Sequence, residues 1–271
     1  MKNVIVTGGL GNQMFQYAYL LSLRSAGINA IMDISYYDFF KMHNGYELER
    51  VFGIKETMIN SQGIHMVWLR VLNKYQPSFL YTVDKFRYDE TLLKKPRKYI
   101  FGYWQDEQYF RGINKDIKDI FCFHNLDDLN IAMSEEMKSL NSVSIHIRRG
   151  DYAEFGMSIV GEEYYKKAVN TLLEKVDNPV FYILSDDMQV AEKMATNMGL
   201  NYRLVSHNRG AYSYKDMFLM SQCKHNIIAN SSFSWWGAWL NNNVSKIVIA
   251  PQEWDAKNPI FHPQLSNWIL I

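Results

Sequence analysis

In the second half of this chain, short apolar strands alternate regularly with amphipathic helices, a pattern that few folds accommodate. Strands are predicted at residues 142–147, 180–184, 202–205, 226–229 and 246–249. Helices are predicted between them at residues 162–175, 187–198, 214–222 and 233–240. Strands that alternate with helices in this way form a parallel sheet with helices on both faces. The second half is therefore predicted to be a doubly wound α/β unit.

The first 35 residues show the same pattern once, as a β-α-β unit. The apolar run 4–6 reads as a strand, residues 12–26 as a helix and residues 29–34 as a second strand. Two α/β units predict two Rossmann-like lobes that face a cleft. We expect an N-terminal lobe at residues 1–135 and a C-terminal lobe at residues 136–271, although no Pro- or Gly-rich linker marks the boundary.

Composition and charge exclude several classes of protein. The 271 residues carry 29 Lys and Arg against 28 Asp and Glu, and this net charge of +1 argues against a general nucleic-acid binder. Cys122 and Cys223 are far apart and match neither a disulfide framework nor a zinc motif, so we expect two buried thiols in a reducing compartment. The apolar run 4–6 is too short for a signal peptide. We therefore expect a cytoplasmic protein.

A glycine-rich turn at residues 8–11 (Gly-Gly-Leu-Gly) joins the first strand to the first helix. A dinucleotide site has such a turn, and Asp33 falls where its ribose-binding acid is expected. The third small residue of that motif is absent, because Met14 takes its place. Asn12 and Gln13 instead bring two amides to the helix N-terminus, where they suit an anion or a sugar hydroxyl. A packing turn with Asn12 as the helix cap is the structural alternative.

A basic motif follows the strand at residues 142–147. Side chains alternate along a strand, so His146 and Arg148 share one face and Arg149 lies on the other. The carboxyl end of a strand in an α/β sheet is where ligands collect. An Arg guanidinium there can bind a phosphate or pyrophosphate through two hydrogen bonds without a metal ion. A buried network of Arg149 with Asp151 is the structural alternative.

Carboxylates occur at two further places in the predicted sheet. Asp186 and Asp187 end the next strand, where they could contact ribose hydroxyls, orient the arginines or cap the following helix. Asp216 could accept from the ring N–H and the amino group of guanine, but alone it reads better as a surface helix residue. The chain contains no Asp-x-Asp, the spacing usual for a metal-chelating nucleotide-sugar site.

A serine- and tryptophan-rich segment follows the strand at residues 226–229. Its hydroxyls and unpaired backbone N–H groups lie at a helix start, which favours phosphate binding. The serines concerned are Ser231, Ser232 and Ser234. Three tryptophans follow at helical spacing and are better explained as core than as a sugar platform. They are Trp235, Trp236 and Trp239.

Taken together, these segments resemble the bacterial α-1,2-fucosyltransferases of glycosyltransferase family 11. The resemblance rests on four segments in the family's order: GGLGNQMFQYA at 8–18, HIRRGDY at 146–152, SDD at 185–187 and NSSFSWWG at 230–237. It implies a GT-B-type α/β fold with the acceptor on the N-terminal lobe and GDP-fucose, the donor substrate, on the C-terminal lobe. It further implies inverting transfer to the 2-hydroxyl of a galactose-terminated oligosaccharide, without a metal ion or other cofactor.

The resemblance also implies roles for individual residues. His146 and Asp216 are expected to recognise guanine and ribose, and Arg148 is expected to bind the β-phosphate. The residues expected to bind the donor are Gly11, Asn12, Gln13, His146, Arg148, Asp186, Asp216, Ser231, Ser232 and Ser234. The residues expected to act in catalysis are Arg148, Asp151 and Glu154, the last two as alternatives for the general base.

Three other functions compete with this interpretation. An NAD- or FAD-dependent oxidoreductase explains the first turn and Asp33, but not the arginine pair. A carbohydrate-binding protein without catalysis explains an aromatic content of 15%, but not Arg148 at a strand end. O-fucosyl transfer to protein is the nearest transferase alternative. The basic residues 94–98 are expected to form a solvated loop, with peripheral contact to the inner membrane as the alternative.

Overall fold

Two parallel sheets, each in its own compact unit, organise the chain. The computed structural model describes residues 1–38, 43–60, 71, 74–75, 78–149 and 160–271. The first unit is Met1–His124 and the second is Asn125–Ile271. The expected boundary after residue 135 falls inside the helix Asp128–Ser139. The division therefore lies before this helix, and the whole helix belongs to the second unit.

Unit 1 (Met1–His124) holds a parallel sheet whose described strands have the order β3-β2-β1-β5-β4. These strands are β1 (Lys2–Ile5), β2 (Ala30–Asp33), β3 (Met58–Ile59), β4 (Tyr81–Val83) and β5 (Tyr99–Phe101). Its described α-helices are α1 (Leu10–Ser25), α2 (Leu48–Phe52), α3 (Glu90–Lys94) and α4 (Asn114–Ile120). Short 3-10 helices lie at Ser35–Asp38, Glu107–Tyr109 and Arg111–Ile113. The predicted β-α-β unit is confirmed, because β1 pairs in parallel with β2, with Lys2 opposite Ala30.

Helix α1 is buried on most sides because it lies against the sheet. Its Gln16 is fully buried; the side-chain carbonyl accepts from the Thr7 N–H at 3.0 Å, and the amide donates to the Gly102 carbonyl at 3.0 Å. The Tyr19 ring stacks on Trp104 with ring centroids 4.1 Å apart. These contacts tie α1 to the segments that follow β1 and β5.

Unit 2 (Asn125–Ile271) holds a second parallel sheet, in which the described strands have the order β11-β10-β9-β6-β7-β8. They are β6 (Ser142–Ile147), β7 (Val180–Ser185), β8 (Tyr202–Val205), β9 (His225–Ile227), β10 (Val248–Ala250) and β11 (Ile269–Leu270). Its described helices are α5 (Asp128–Ser139), α6 (Glu162–Leu173), α7 (Met188–Asn197), α8 (Tyr214–Gln222), α9 (Ser232–Leu240) and the 3-10 helix Gly210–Tyr212. Every strand and helix predicted from residue 142 onward is present, so the doubly wound sheet is confirmed.

The two faces of this sheet pack against different helices. On one face, Val143, Ile145 and Ile147 of β6 join a core formed with α6 and α7. On the other face, Tyr182 and Leu184 of β7 join a core formed with α5 and α8. Because side chains alternate along a strand, the even-numbered side chains of β6 point to the second face.

Helix α9 is almost entirely buried, as its apolar composition requires. Trp235, Trp236 and Trp239 are all in the core, which confirms the packing interpretation of these residues. Gly237 allows α9 to approach α8 closely, because a Cβ at this position would lie 2.8 Å from Met220 Cβ. The tryptophans therefore support the first turn of α9 from within the unit.

Several surface features bear on the expectations about compartment and membrane. Cys223 is buried as expected, but Cys122, which lies two residues after α4, is exposed, so the expectation of a buried thiol is wrong for Cys122. The basic side chains of residues 94–98 are exposed, and Lys94 forms an ion pair with Glu90 at 3.0 Å. Among the residues that the structure describes, no helix is long and apolar enough to cross a membrane.

Candidate functional site

The candidate site lies at the carboxyl edge of the unit 2 sheet, where the strand order changes direction. From β6 the chain adds β7 and β8 on one side, and then returns to add β9, β10 and β11 on the other. The neighbouring strands β6 and β9, paired with Val143 opposite His225, therefore flank the switch point. Segments that leave such a pair in opposite directions open a crevice in which ligands bind. Here those segments carry His146, Arg148 and Ser232.

His146 brings a buried, neutral imidazole to this edge. The residue is 5% exposed, and its ring centroid lies 5.9 Å from that of Phe233 in the first turn of α9. The Tyr165 hydroxyl donates to the His146 carbonyl at 3.0 Å and thereby fixes the end of β6. Burial, assisted by the charge of Arg148, lowers the pKa of His146 to about 3. Its Nδ1 has no hydrogen-bond partner within the described part of the chain, which makes it a candidate ligand contact.

Arg148 is held by an ion pair with Asp186, which follows the neighbouring strand β7. Arg148 Nη1 lies 3.0 Å from Asp186 Oδ2, and Asp186 Oδ1 accepts from the backbone N–H of Arg149 at 2.9 Å. Asp187 instead caps α7, because its Oδ1 accepts from the Val190 N–H at 3.2 Å. The adjacent carboxylates thus have different roles. The Arg148 side chain is 23% exposed, so its guanidinium can meet a phosphate while Asp186 sets its direction.

The three serines at the start of α9 differ in what their hydroxyls can do. Ser231 is the N-cap, and its Oγ accepts from the Phe233 N–H at 3.3 Å. Ser234 is fully buried, and its hydroxyl donates at 3.3–3.4 Å to the carbonyls of Ser231 and Ala229. Because these bonds engage the Ser234 hydroxyl inside the protein, we expect Ser232 and not Ser234 to meet a phosphate. Ser232 is half-buried in a first turn whose N–H groups and dipole favour an anion.

Asp216 lies in the first turn of α8, at the same edge, because α8 runs from the carboxyl end of β8 to the amino end of β9. Its Oδ1 accepts from Asn208 Nδ2 at 2.8 Å, and the residue is half-buried. Burial raises the pKa of Asp216 to about 7, although the Asn208 bond and the Arg209 charge act in the opposite direction. Asp216 is therefore not the solvated surface residue that its sequence context alone suggested. It is an acceptor suited to the N–H donors of a ligand.

The glycine-rich turn lies beside the switch point of unit 1, between β1 and β5. Gly8 has a φ of +80°, and a Cβ there would lie 2.6 Å from Asn12 Nδ2, so the turn requires glycine. Asn12 is half-buried, and its Oδ1 accepts from Gln105 Nε2 at 2.6 Å. Gly11 is buried in the first turn of α1. Asn12 thus lies at the carboxyl edge of this sheet, where its contact with the donor stays a prediction.

Gln13 has a structural role instead of the expected ligand contact. It is fully buried, and its Nε2 donates to the carbonyls of Gly8 at 3.0 Å and Gly45 at 2.8 Å. Its Oε1 accepts from the Glu47 N–H at 2.8 Å. Because a buried amide must be satisfied within the protein, both of its polar atoms are committed to holding these loops. We therefore expect Gln13 to position these loops and not to bind the donor itself.

The dinucleotide interpretation of the first turn conflicts with the position of its acid. Asp33 is fully buried at the end of β2, and its Oδ1 accepts from the Ser35 N–H at 3.1 Å. Met14, which stands where the motif needs a small residue, is also fully buried. A ribose cannot reach Asp33, so the oxidoreductase alternative loses the residue that favoured it.

Both candidates for the general base, Asp151 and Glu154, lie outside the described residues, and their role stays a prediction. A buried network of Arg149 with Asp151 also falls outside them. The described residues contain no group of three or more His, Cys, Asp or Glu that could hold a metal ion.

The sequence interpretation missed the polar residues that stand behind Asp216. Asn208 is bonded to Asn130 of α5, which precedes it by 78 residues. Neither asparagine belongs to a motif. The available signal was Asp127, three residues before Asn130, because this spacing is typical of a helix cap. It predicts the start of α5 but not the partner of Asn130.

Comparison with known proteins covers the whole chain. The family model "Glycosyl transferase family 11" matches residues 1–271. An α-1,2-colitosyltransferase of Escherichia coli is 34% identical, over 98% of this chain and 97% of its own length. The galactoside 2-α-L-fucosyltransferase Sec1 of Mus musculus is 26% identical, over 89% of this chain and 64% of its own length.

The fold also has a counterpart among solved structures. The crystal structure of NodZ α-1,6-fucosyltransferase, co-crystallised with GDP, matches with a TM-score of 0.54 and 15% sequence identity, over 87% of this chain and 90% of that chain. This likeness supports the predicted GT-B-type α/β fold with two Rossmann-like units. The family model matches from the first residue to the last, and the motifs stand in the family's order along the folded chain. The chain therefore belongs to glycosyltransferase family 11.

Proposed function

We propose that this glycosyltransferase moves L-fucose from GDP-fucose to the 2-hydroxyl of a terminal galactoside, with inversion and without a metal ion. The main support for the proposal is the arrangement of residues at the switch point of unit 2. There Arg148, oriented by Asp186, follows β6, and the first turn of α9 with Ser232 follows the adjacent β9. The relatives support the donor and linkage through their names, which are α-1,2-colitosyltransferase and galactoside 2-α-L-fucosyltransferase.

The leaving group explains why an arginine and a helix start are needed together. Transfer breaks the bond between the fucose anomeric carbon and a β-phosphate oxygen, so negative charge develops on GDP. Arg148 can donate two hydrogen bonds to this phosphate, and the first-turn N–H groups of α9 can donate others. Because Asp186 and the α9 packing fix these donors in advance, they stabilise the transition state at little reorganisation cost.

The nucleoside end of the donor fits the remaining polar groups of unit 2. A carboxylate at Asp216 can accept from both the N1–H and the 2-amino group of guanine, a pair of donors that adenine lacks. The neutral ring of His146 offers Nδ1 to the ribose or the base. The structurally similar NodZ was co-crystallised with GDP, which supports a guanine nucleotide.

The acceptor hydroxyl must lose a proton as its oxygen bonds to the anomeric carbon. We propose that Asp151 or Glu154 takes this proton, while the β-linked fucosyl group of the donor becomes α-linked in the product. The variants Asp151→Asn and Glu154→Gln separate the two. The variant that removes the base is expected to lose about 100-fold or more in turnover and to keep its affinity for GDP. Full turnover in both would place the base elsewhere.

A colitosyl donor is the second candidate, favoured by the relative that is 34% identical and named for colitosyl transfer. Colitose is L-fucose without its 3-hydroxyl. Both sugars would therefore use the same guanine nucleotide site, and the choice between them depends on contacts to that one hydroxyl.

The proposal is tested by offering GDP-fucose and GDP-colitose to the purified protein with lactose or N-acetyllactosamine. We expect GDP release from GDP-fucose, an α-1,2-linked product by NMR, and an unchanged rate in EDTA. Transfer from GDP-colitose alone would establish the second candidate. Transfer to protein hydroxyls but to no galactoside would establish O-fucosyl transfer, and stabilisation by NAD but not by GDP would refute a GDP-sugar transferase.

A further inference from the structure

Two buried asparagines stand directly behind the Asp216 carboxylate. Asn208 Nδ2 donates to Asp216 Oδ1 at 2.8 Å and to Asn130 Oδ1 at 2.9 Å. Asn130 Nδ2 donates back to Asn208 Oδ1 at 3.0 Å. Asn130 is 0% and Asn208 5% exposed, so water does not compete for the bonds between these two asparagines. Asn130 and Asn208 are here called the amide pair. Besides its bond to Asn130, the Asn208 amide group therefore donates one hydrogen bond to Asp216.

The far end of the amide pair is anchored at the start of α5. Asp127 caps this helix by accepting from the Asn130 N–H at 2.9 Å, and it also accepts from Asn130 Nδ2 at 2.9 and 3.0 Å. The buried Lys215, next to Asp216 in sequence, places Nζ 2.6 Å from Asp127 Oδ2. The first turns of α5 and α8 are therefore joined twice, once through this ion pair and once through the amide pair.

This anchoring fixes which way each amide faces. Asn130 must turn Nδ2 toward the Asp127 carboxylate, and its oxygen then faces Asn208. If Asn208 turned over, its own oxygen would oppose the oxygens of Asn130 and Asp216, which is unfavourable. The orientation of the Asn208 amide is thus determined, and its N–H group faces Asp216.

We propose that the amide pair positions the Asp216 carboxylate for guanine and thereby sets the base preference of the enzyme. The inference rests on the proposed GDP-sugar function. With Oδ1 held by Asn208, the plane of the Asp216 carboxylate is set before a nucleotide binds. A carboxylate held in this way accepts two adjacent N–H groups of the base without reorganising.

A purely structural role would need less than is observed. The bonds between the two asparagines are enough to join α5 to the segment before α8. The additional bond goes from Asn208 to the half-buried Asp216 carboxylate. If this carboxylate had no ligand to bind, water could supply the same hydrogen bond. Burial of this group raises its pKa, and the Asn208 bond opposes that rise, so Asn208 helps to keep Asp216 an acceptor.

The test compares GDP with IDP, which lacks the 2-amino group of guanine, by isothermal titration calorimetry. The variant is Asn208→Ala, and the matched control is Asn241→Ala. Asn241 is also buried in unit 2, and its Nδ2 donates to another asparagine, Asn226, at 2.8 Å. It lies at the opposite end of α9 from Ser232. The ratio of the GDP and IDP affinities is the readout, because a loss of fold stability alone does not change it.

We expect the wild-type protein to bind GDP about tenfold more tightly than IDP, the equivalent of one charge-assisted hydrogen bond. Asn208→Ala should reduce this ratio to about twofold or less, as Asp216→Asn should, and the double variant should show no further loss. Asn241→Ala should keep the wild-type ratio. If Asn208→Ala does not fold, Asn208→Ser serves instead, because its short hydroxyl cannot reach both Asn130 and Asp216.

Two results would overturn the inference in distinguishable ways. A folded Asn208 variant that keeps the wild-type ratio would refute the positioning role and leave the proposed function standing. A wild-type protein that binds neither nucleotide would refute the proposed function and the positioning role together.

Discussion

The Asp216 carboxylate makes folding stability depend on pH in a way that one substitution can isolate. Burial raises its pKa from 3.8 to about 7, despite the opposing Asn208 bond and Arg209 charge. Between about pH 4 and pH 7 the folded chain therefore keeps a proton that the unfolded chain has released. Stability contributed by this proton falls as the pH rises through that interval and is lost above it. Asp216→Asn removes the titration and keeps an oxygen for Asn208.

The size of the effect follows from the same pKa difference. At 1.36 kcal/mol per pH unit, a pKa of about 7 in place of 3.8 corresponds to an upper limit of ~4 kcal/mol. Asp216 is only half-buried, so solvent access reduces the expected cost to ~2 kcal/mol. Asp216→Asn should therefore be more stable than the wild-type protein by about this amount at pH 8. The two should be nearly equal at pH 4.5.

Urea unfolding of both proteins at these two pH values measures the effect directly. Every other titrating group is shared, so the difference in unfolding free energy isolates Asp216. The same variant should be stabilised less by GDP at pH 8, because it has lost the carboxylate that accepts from guanine. Parallel pH profiles for the two proteins would refute the account of this group.

Three further predictions follow from the packing and the site. Arg148→Ala should lower kcat by about 100-fold or more with an unchanged circular dichroism spectrum, and near-normal turnover would remove Arg148 from the site. Ser232→Ala should raise the KM for GDP-fucose about three- to tenfold, whereas Ser234→Ala should not; equal effects in steady-state kinetics would contradict the assignment. Gly237→Ala should lower the unfolding free energy by ~1–3 kcal/mol, because its Cβ would meet Met220, and an unchanged urea midpoint would show that α8 and α9 can separate.

Periodicity predicted the second unit well because its strands are buried and its helices amphipathic. The strand β6, for example, was predicted with the bounds Ser142–Ile147 that it has. In unit 1, β3 (Met58–Ile59) and β4 (Tyr81–Val83) were not predicted, because α2 and α3 are only five residues long and no alternation of strands with amphipathic helices is visible around them. Their place in the sheet depends on pairing with distant strands, which no local pattern records.

In the site, too, the properties that depend on local sequence could be predicted, and those that depend on packing against distant residues could not. His146 and Arg148 were identified because their position at a strand end is a local property of the sequence. Gln13 and Ser234 were assigned to the donor because a polar residue at a helix start is normally accessible. Both are enclosed by packing around their helices, which the sequence of the helix start does not reveal.

The hydrogen-bond partners of the site residues could not be predicted from the sequence, for a related reason. Gln105 bonds Asn12 across 93 residues of chain, and Asn208 reaches Asn130 across 78. Each is a single amide in a segment without a motif. Only the fold brings these side chains together, so sequence reasoning can name the functional group but not the residue that orients it.

A crystal structure of the protein with GDP would show whether the carboxyl edge of the unit 2 sheet binds the GDP portion of the donor. We expect guanine N1 and N2 within about 3.2 Å of the Asp216 carboxylate. We also expect the β-phosphate on Arg148 and the first turn of α9. GDP bound away from Arg148 and the first turn of α9, or bound there with its base away from Asp216, would contradict this assignment.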